Sequence, residues 1–403
     1  ITFHIHHFRM KNVFYIKLIR LLDIVVISLI VHFNVYFWCK FPYYVCVNVK
    51  QIGEKMKKLL SVILLMGFTS LSYAGGHSMA MGNSDGNNAS SAKASSGVHF
   101  YGRLYVGYDK TSGTVQKLDD GGNKSRLGLK IRSGNIVGNL EYKFDIGDGT
   151  SENGVACSTA SGNGCQTFAL HVGNLGFMTG LGYIGAGTFE APYKTMGMYD
   201  HNMDTAIALN QHGGTSDGAF GIAGTWESSI MLQTKIGPIE LAYLRGMSEQ
   251  TNNTTVNKSD YSVGLRMADM FLPGLEVGFA RNHDKSGDSN RGLSNDKLFA
   301  SYKVMPGLGI FYTGEEVEIA GSNHAAGDIT TMGLHYTMGH NMIQIAVAEG
   351  NMDSATTDYD VVSISNQMNL SKSTDLTIGY TRKGIEGSGN AVRSYGLGIT
   401  HKF

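Results

Sequence analysis

The chain of 403 residues contains 53 Gly, 20 Tyr and 18 Phe but only 5 Pro and 2 Trp, and 16% of its residues are charged; this composition is typical of a membrane β-barrel and unusual for a soluble enzyme. Lys plus Arg and Asp plus Glu number 33 each, but residues 1–74 hold 9 of the former and 2 of the latter, so the remainder carries about −7 and lacks the basic surface of a nucleic-acid-binding protein. A helical membrane protein is also disfavoured, because it needs spans of about 20 apolar residues and none occurs after residue 75.

A cleaved secretory signal peptide is predicted over residues 56–74. Residues 56–58 (Met-Lys-Lys) are a basic n-region, residues 59–68 are a short apolar h-region, and residues 72–74 (Ser-Tyr-Ala) are a small-x-small cleavage site. The h-region is too short to span a bilayer comfortably, so export is expected rather than anchoring.

The segments on either side of this signal have no evident function. Residues 1–55 do not begin with Met and precede a complete signal, so we interpret them as an upstream mistranslated segment, read in frame from a start site assigned too early. The alternative is an anchor helix near residues 13–37, and the intact mass of the mature protein distinguishes the two. Residues 75–97 are small, polar and aperiodic, which predicts a flexible N-terminal tail.

Alternating apolar and polar residues begin at residue 98 and recur to the C-terminus. In the first segment Phe100 and Leu104 share one face, and Tyr101 and Arg103 share the other. Such alternation predicts strands between an apolar and a polar environment. Sixteen strands are predicted, at residues 98–109, 126–132, 139–146, 168–173, 180–187, 224–234, 238–246, 260–267, 274–282, 297–304, 308–318, 328–338, 342–350, 359–368, 374–382 and 394–403.

The connections between these strands alternate in length. Tight turns are predicted at residues 133–135, 236–238, 272–274, 305–307 and 339–341, with long polar loops between them. The predicted fold class is therefore all-β: a transmembrane antiparallel up-and-down β-barrel of about sixteen strands over residues 98–403, with short periplasmic turns and long extracellular loops. A soluble sandwich would give similar alternation, but with shorter strands and more frequent turns.

Two cysteines follow the signal, Cys157 and Cys165, within the polar stretch 147–167. In an exported protein a lone close pair predicts a disulfide that closes a loop. The alternative, a metal site, lacks an accompanying pattern of His or acidic residues.

Both ends of the predicted barrel resemble the general diffusion porins of Gram-negative bacteria. Residues 100–104 (Phe-Tyr-Gly-Arg-Leu) resemble their first strand, residues 125–130 their second, and residues 395–403, which end on Phe403, their last. The resemblance covers roughly residues 98–403. It implies a homotrimer in outer-membrane lipid of a Gram-negative bacterium, with Phe403 as part of the signal for the barrel-assembly machinery. It also implies a water-filled channel for passive diffusion of small hydrophilic solutes and ions, narrowed by an inward-folded third loop.

The third loop, residues 188–223, contains the candidate constriction residues Glu190, Lys194, Asp200 and Asp204, together with His201. Candidate pore-wall residues on the polar faces of early strands are Arg103, Arg126, Lys130 and Arg132. Acids opposed to bases across a narrow pore would create a transverse field. The chain lacks the wall Arg and the acidic Pro-Glu-Phe-Gly stretch of the family, so the resemblance does not settle its ion preference. Alternatively, these acids simply solvate an exposed loop.

Two other classes of function are weighed against the channel. A barrel whose interior is filled would be a non-conducting adhesin or structural surface protein. An outer-membrane enzyme would need a nucleophile or acid group at a rim, such as one built from His335, Asp353, Asp358 and Asp360. No His-Glu-x-x-His motif occurs, and no catalytic residue, metal site or cofactor is predicted.

Overall fold

The computed structural model describes residues 96–114, 116–119, 125–144, 168–216, 224–247, 260–284, 293–318, 326–353 and 358–403. The predictions for residues 1–55, for the signal at 56–74, for nearly all of the 75–97 tail and for the Cys157–Cys165 pair lie outside these ranges. No helix within them is long and apolar enough to cross a bilayer.

Seventeen strands and two one-turn helices form in the described residues. The strands are β1 (Gly97–Thr111), β2 (Lys117–Asp119), β3 (Arg126–Ser133), β4 (Ile136–Lys143), β5 (Ala169–Thr179), β6 (Gly182–Glu190), β7 (Thr225–Ile236), β8 (Ile239–Gly246), β9 (Tyr261–Ala268), β10 (Leu275–Asp284), β11 (Leu293–Met305), β12 (Leu308–Glu318), β13 (Ala326–Met338), β14 (Asn341–Met352), β15 (Tyr359–Asn369), β16 (Thr374–Ile385) and β17 (Val392–Lys402). The helices, α1 (Pro192–Thr195) and α2 (Leu209–His212), both lie between β6 and β7.

The strands form one closed antiparallel barrel. Each long strand pairs with the next long strand in the chain, and β1 pairs with β17, with Tyr105 opposite Thr400. The short β2 is an extra strand that pairs with β1 beyond the point where β3 ends. The other sixteen strands make the wall, so the predicted fold class is confirmed. A sheet in lipid must have no free edge, because lipid cannot hydrogen-bond to exposed backbone groups. Closure of the barrel meets this requirement.

The two faces of the wall differ in polarity, as β17 illustrates. Tyr395, Leu397 and Ile399 are 45–49% exposed, while Ser394 and Thr400 on the opposite face are buried. The exposed apolar side is called the outer face below, and the opposite side the inner face. An apolar outer face is what lipid contact requires, because a charged residue there costs about 2–4 kcal/mol at the bilayer midplane.

Two tight turns, at 180–181 and 370–373, were not predicted, but the five predicted ones each connect neighbouring strands. Gly134, Gly237, Gly307 and Gly339 adopt positive φ angles of 57°, 58°, 84° and 60° at four of these turns. An L-residue with a Cβ rarely adopts this conformation, so glycine is the expected residue.

Several strand boundaries were predicted wrongly, most clearly those of β4, β5 and β6. The β5–β6 turn is at 180–181, inside the predicted strand 180–187, because β5 extends to Thr179. Strand β4 covers Ile136–Lys143 rather than 139–146. The physical reasons are a register shift between β4 and β5 at Glu141/Tyr142 and another between β6 and β7 at Gly187/Phe189, since a bulge breaks the alternation on which the prediction depends.

Candidate functional site

The β6–β7 segment, residues 191–216, corresponds to the described part of the predicted third loop. It starts later than the predicted residue 188, because β6 runs on to Glu190. Pro192 begins α1, where its missing N–H loses no helical hydrogen bond. Gly213 ends α2 in the left-handed conformation, with φ 84°. These signals fold the segment into two short helices joined by turns.

Apolar residues of the β6–β7 segment pack against the inner faces of β8 to β15. The centroid of the Tyr199 ring lies 6.4 Å from the ring centroid of Phe299 and 5.3 Å from that of Phe311. One buried cluster unites Tyr193, Met196, Tyr199 and Leu209 of the segment with Leu244, Phe299, Phe311, Ala346, Ala348, Tyr359 and Val361 of the wall. Burying each large side chain stabilises the docked segment by about 1.5–3 kcal/mol.

Glu315 on β12 connects the two ends of this segment. Its carboxylate accepts hydrogen bonds from the Tyr193 hydroxyl at 2.6 Å, the Thr215 hydroxyl at 2.6 Å and the Ser216 backbone N–H at 3.2 Å. Burial, followed by the negative charge of Glu315, raises the pKa of the Tyr193 hydroxyl well above its usual value. Tyr193 therefore remains a hydrogen-bond donor, and Glu315 fixes both ends of the segment to one strand.

Asp200 has a structural role in the β6–β7 segment. Its carboxylate accepts hydrogen bonds from the backbone N–H groups of Leu209 at 2.6 Å and Asn202 at 2.9 Å, and from Nε2 of Gln344 at 2.8 Å. The side chain is buried. Asp200 thus organises the approach to α2 and ties it to β14, instead of meeting a wall base.

His201 lies beside a second histidine on the wall. The rings of His201 and His335 meet edge to face with centroids 4.3 Å apart, and Phe311 stacks on His335 at 4.8 Å. Burial lowers the pKa of His201, with Asp200 opposing this effect and Lys402 adding to it. The contact therefore favours the neutral imidazole.

Asp204 meets two of the four predicted wall bases. Its Oδ2 accepts hydrogen bonds from Nη2 of Arg103 and from Nη2 of Arg126, each at 2.7 Å. Burial alone would raise the pKa of this carboxyl, but the charges of Arg126 and Arg103, helped by Lys194 and Lys143, hold it below its ordinary value. Asp204 also has a left-handed backbone, with φ 62°, a conformation that surrounding contacts must maintain.

Glu190 joins a buried network at the end of β6. Its Oε1 lies 3.0 Å from Nζ of Lys194 and 3.4 Å from Nε2 of His171. Nδ1 of His171 lies 2.6 Å from Oε1 of Glu141, which also pairs with Arg126 at 3.2 Å. Sequence reasoning missed the buried Glu141, His171 and Glu315. Glu141 and Glu315 lie on inner strand faces, where polar residues are common, and their partners Arg126, His171 and Tyr193 come from other elements, so the sequence alone gave no clear signal for their roles.

The other two predicted wall bases lie nearer the β3–β4 turn. Nζ of Lys130 is 4.6 Å from the centroid of the Tyr101 ring. The buried Nε of Arg132 has no hydrogen-bond partner among the described residues. Neither side chain is paired with Asp204 in the structure.

Phe403 closes the last strand against the first. Its N–H donates to the carbonyl of Gly102 and its own carbonyl accepts from the Gly102 N–H, both at 3.1 Å. The ring remains 56% exposed. Within the described ranges, no group of three His, Cys, Asp or Glu side chains is arranged to hold a metal ion.

Comparisons with known proteins agree with this architecture. The family of Gram-negative porins matches residues 79–388, whereas no protein of curated function matches the chain. Similar solved structures include the anion-selective porin from Comamonas acidovorans, at 14% identity and TM-score 0.59 over 77% of this chain and 100% of that one. Trimeric OmpT, an outer membrane protein of Vibrio cholerae, is 13% identical, with a TM-score of 0.56 over 77% of this chain and 100% of that one. OmpF of Salmonella typhi, in complex with daunomycin, is 11% identical, with a TM-score of 0.55 over 76% of this chain and 98% of that one.

At these identities the structural likeness shows the fold alone. The family match is different in kind, because it spans well over half of the chain. The barrel's apolar outer face and polar inner wall agree with it. The chain therefore belongs to the Gram-negative porins and is an outer-membrane channel protein.

Proposed function

We propose that this channel passes small hydrophilic solutes and ions passively, and that the β6–β7 segment narrows it. The observation that carries the proposal is the position of Asp204. Its carboxylate, borne by a connection between β6 and β7, contacts Arg103 on β1 and Arg126 on β3. The segment packs first against Phe299 of β11 and Gln344 of β14, on the other side of the barrel, so a path from there to Asp204 would cross the lumen.

The charges at this crossing are suited to a constriction. Acidic Asp204 on the segment faces basic Arg103 and Arg126 on the wall, so ions passing beside them experience a local field. The predicted constriction residues Glu190, Lys194 and Asp200 belong to the segment's internal and wall contacts. They would hold the segment in shape while Asp204 defines the narrow point.

Two partner relationships form part of this proposal. The apolar outer face would contact outer-membrane lipid and neighbouring copies in a homotrimer; trimeric OmpT offers a structural parallel. The exposed Phe403, next to the closure of β1 and β17, is available to the barrel-assembly machinery during folding. We also propose that the signal peptide at residues 56–74 is cleaved on export and that Cys157 and Cys165 form a disulfide in the mature protein.

A second candidate is a non-conducting surface barrel. It is favoured by the buried apolar cluster between the β6–β7 segment and the wall, because a plug is stabilised by this kind of packing. The family and fold favour a channel over this candidate and over an enzyme.

Single-channel recording separates the two candidates. The mature protein, purified from outer membranes and inserted in a planar bilayer in KCl, is expected to open in steps, grouped in threes for a trimer. A folded barrel that stays silent would contradict the channel. In that case a variant lacking residues 198–212 tests the plug directly, since removing a plug should open the barrel.

A further inference from the structure

The outer face of the barrel carries a groove that crosses five adjacent strands. In the strand register, one residue of each strand stands opposite the next: Ile343 of β14, Asn366 of β15, Ile378 of β16, Leu397 of β17 and Tyr108 of β1. These five residues line a cavity of about 520 Å³, called the outer groove below. Neighbouring strands lie about 4.8 Å apart, so the row of five is roughly 19 Å long.

The outer groove has the shape and polarity of a site for an acyl chain. Ile378, Leu397 and Tyr108 are 53%, 45% and 42% exposed. Because the strands of such a barrel are tilted, a row that crosses them runs obliquely through the bilayer. The acyl chain of a lipid reaches through about half of the roughly 30 Å hydrocarbon core. Every membrane lipid has such a chain, so the headgroup must be identified from the residues beside the groove.

Three basic residues border the outer groove on the side of the rim opposite the tight turns. We call them the rim bases: Lys110 on β1, Arg382 on β16 and Arg393 on β17. Each is two residues nearer that rim than a tyrosine that lines the groove, and these tyrosines are Tyr108, Tyr380 and Tyr395. Alternate residues of a strand share a face and lie about 6.6 Å apart. The rim bases are therefore on the outer face, one step beyond the aromatic rings.

The charges of the rim bases are only partly balanced by the protein. Arg382 stands opposite Arg393 in the register, and like charges in this position destabilise a sheet. Asp360 pairs with Arg382 at 3.0 Å. Within the described ranges, neither Lys110 nor Arg393 is paired with an acid, and both side chains are exposed. An anion beside β16, β17 and β1 would stabilise this part of the wall.

The neighbouring strands have the opposite charge near the same rim. On the outer face, Glu316 of β12 is opposite Asp328 of β13, and Glu349 of β14 is opposite Asp360 of β15. An anionic headgroup is repelled by these acids and attracted by the rim bases. The contrast therefore favours one position for the headgroup, next to the tyrosines of the outer groove.

We propose that the outer groove binds one acyl chain of a phosphorylated membrane lipid, and that the rim bases bind the phosphate of its headgroup. A guanidinium can hold a phosphate through two parallel N–H donors, and the ammonium of Lys110 adds a point charge. Tyr380 and Tyr395 lie between the two parts of the lipid, at the level where aromatic residues border the hydrocarbon core. The site is outside the lumen, so it does not depend on conduction through the channel.

The first test measures headgroup preference by native mass spectrometry, which counts bound lipid. Protein from outer membranes, in dodecyl maltoside, is titrated with phosphatidylglycerol and separately with phosphatidylcholine of the same acyl chains. One phosphatidylglycerol per barrel should bind about tenfold more tightly than phosphatidylcholine, because Lys and Arg near the membrane surface attract anionic lipid. Combining Lys110→Gln, Arg382→Gln and Arg393→Gln should reduce this preference to less than about threefold.

The matched control for charge is Arg245→Gln. Arg245 stands opposite the exposed Ile230 on the outer face of β8, away from the outer groove. The variant should keep the preference of the native protein. Equal affinity of the native protein for the two lipids would overturn the phosphate site. A loss in Arg245→Gln as large as that in the triple variant would also overturn it, since general charge attraction would explain the preference.

The second test fills the outer groove and leaves the rim bases in place. Asn366→Phe adds an apolar ring to the groove, and it should weaken both lipids by about tenfold because less acyl-chain surface is buried. Leu241→Phe, which enlarges an exposed side chain of β8, is the matched control and should change neither affinity. Phosphatidylglycerol binding that is unchanged in Asn366→Phe would overturn the role of the groove. Trimers that dissociate in Asn366→Phe, with the lipid count unchanged, would show that a second copy occupies the groove instead.

Discussion

The inner wall of the barrel has two parts that hold the β6–β7 segment in different ways. On β8 to β15 the wall presents small or apolar residues such as Ala346, Phe299 and Phe311, and the segment covers them. On β17, β1, β3 and β4 it presents four basic residues that lie opposite one another in the strand register, here called the basic row: Lys402, Arg103, Arg126 and Lys143. Asp204 of the segment contacts Arg103 and Arg126 of this row. Packing is insensitive to salt, whereas partly exposed ion pairs are screened. We therefore call the side of the segment that packs on β8 to β15 the firm side, and the side that contacts the basic row the adjustable side.

This difference refines the usual rule for a membrane barrel. Alternation requires an apolar outer face, but it leaves the inner face free to be polar or apolar. An apolar inner residue is favourable only where something excludes water from it, and on β8 to β15 that cover is Tyr193, Met196 and Tyr199.

The largest effect is expected from removing an aromatic ring on the firm side. Phe311→Ala removes the ring that stacks on Tyr199 and on His335, and truncation of a buried Phe costs about 3–5 kcal/mol. Backbone amides of residues 191–216 should exchange with deuterium roughly a hundredfold faster in micelles, as local opening becomes easier. Strand amides of β3 and β4 serve as the internal control. Unchanged exchange in the segment would contradict the assignment of the firm side.

A smaller effect is expected at Glu315. Glu315→Gln keeps the shape of the side chain but turns charged hydrogen bonds from Tyr193 and Thr215 into neutral ones and places an N–H beside donors. Because hydrogen bonds to charged groups are worth about 1.5–3 kcal/mol, we expect a loss of about 2 kcal/mol, seen as faster exchange at both ends of the segment. The matched control is the exposed neighbour Glu316→Gln. Faster exchange at one end only would mean that Glu315 does not connect the two.

The sequence predicted the wall far better than the site. Most wall strands alternate clearly, as in Ser394 to Phe403, so their presence is visible without tertiary information. The partners of the β6–β7 segment are not visible in this way. Tyr193 and Glu315 are 122 residues apart, and their contact depends on how the segment folds against β12. The sequence opposed the loop acids to the wall bases only as two groups. Which acid contacts which base depends on the folded segment: Asp204 contacts Arg103 and Arg126, whereas Asp200 accepts backbone and amide hydrogen bonds.

Lowering the pH should weaken docking of the β6–β7 segment through protonation of His201, by less than Glu315→Gln does. Burial lowers the pKa of His201 in the docked segment, Lys402 adds to this and Asp200 opposes it, while His335, Phe311 and Gln344 offer no negative charge to stabilise an imidazolium. Docking is therefore at full strength above the ordinary pKa of about 6.5 and weakens below it, because the undocked histidine takes up the proton more readily. We expect a loss of about 1 kcal/mol at pH 5.5.

Exchange of segment amides between pH 7.5 and 5.5, corrected for the intrinsic pH dependence of exchange, measures this loss. The matched control is His201→Asn, which should reduce the pH dependence while retaining a polar side chain; the remainder is expected from His212 of the same segment, whose pKa burial also lowers. If the native protein and His201→Asn responded equally to acid, the pH dependence would have to come from another group.

The smallest effect is expected at Lys402, the most exposed member of the basic row. Its side chain is 55% exposed and pairs with Asp375 at 3.3 Å, whereas the Arg126 side chain is 12% exposed and contacts Asp204 at 2.7 Å. Exposed ion pairs contribute about 0–1 kcal/mol, so Lys402→Gln should change segment exchange less than threefold, and Arg126→Gln clearly more. Equal effects of the two variants would mean that the basic row holds the segment through its summed field. Unequal effects in the expected order would mean that the adjustable side is held by direct contact between Asp204 and its two guanidinium partners.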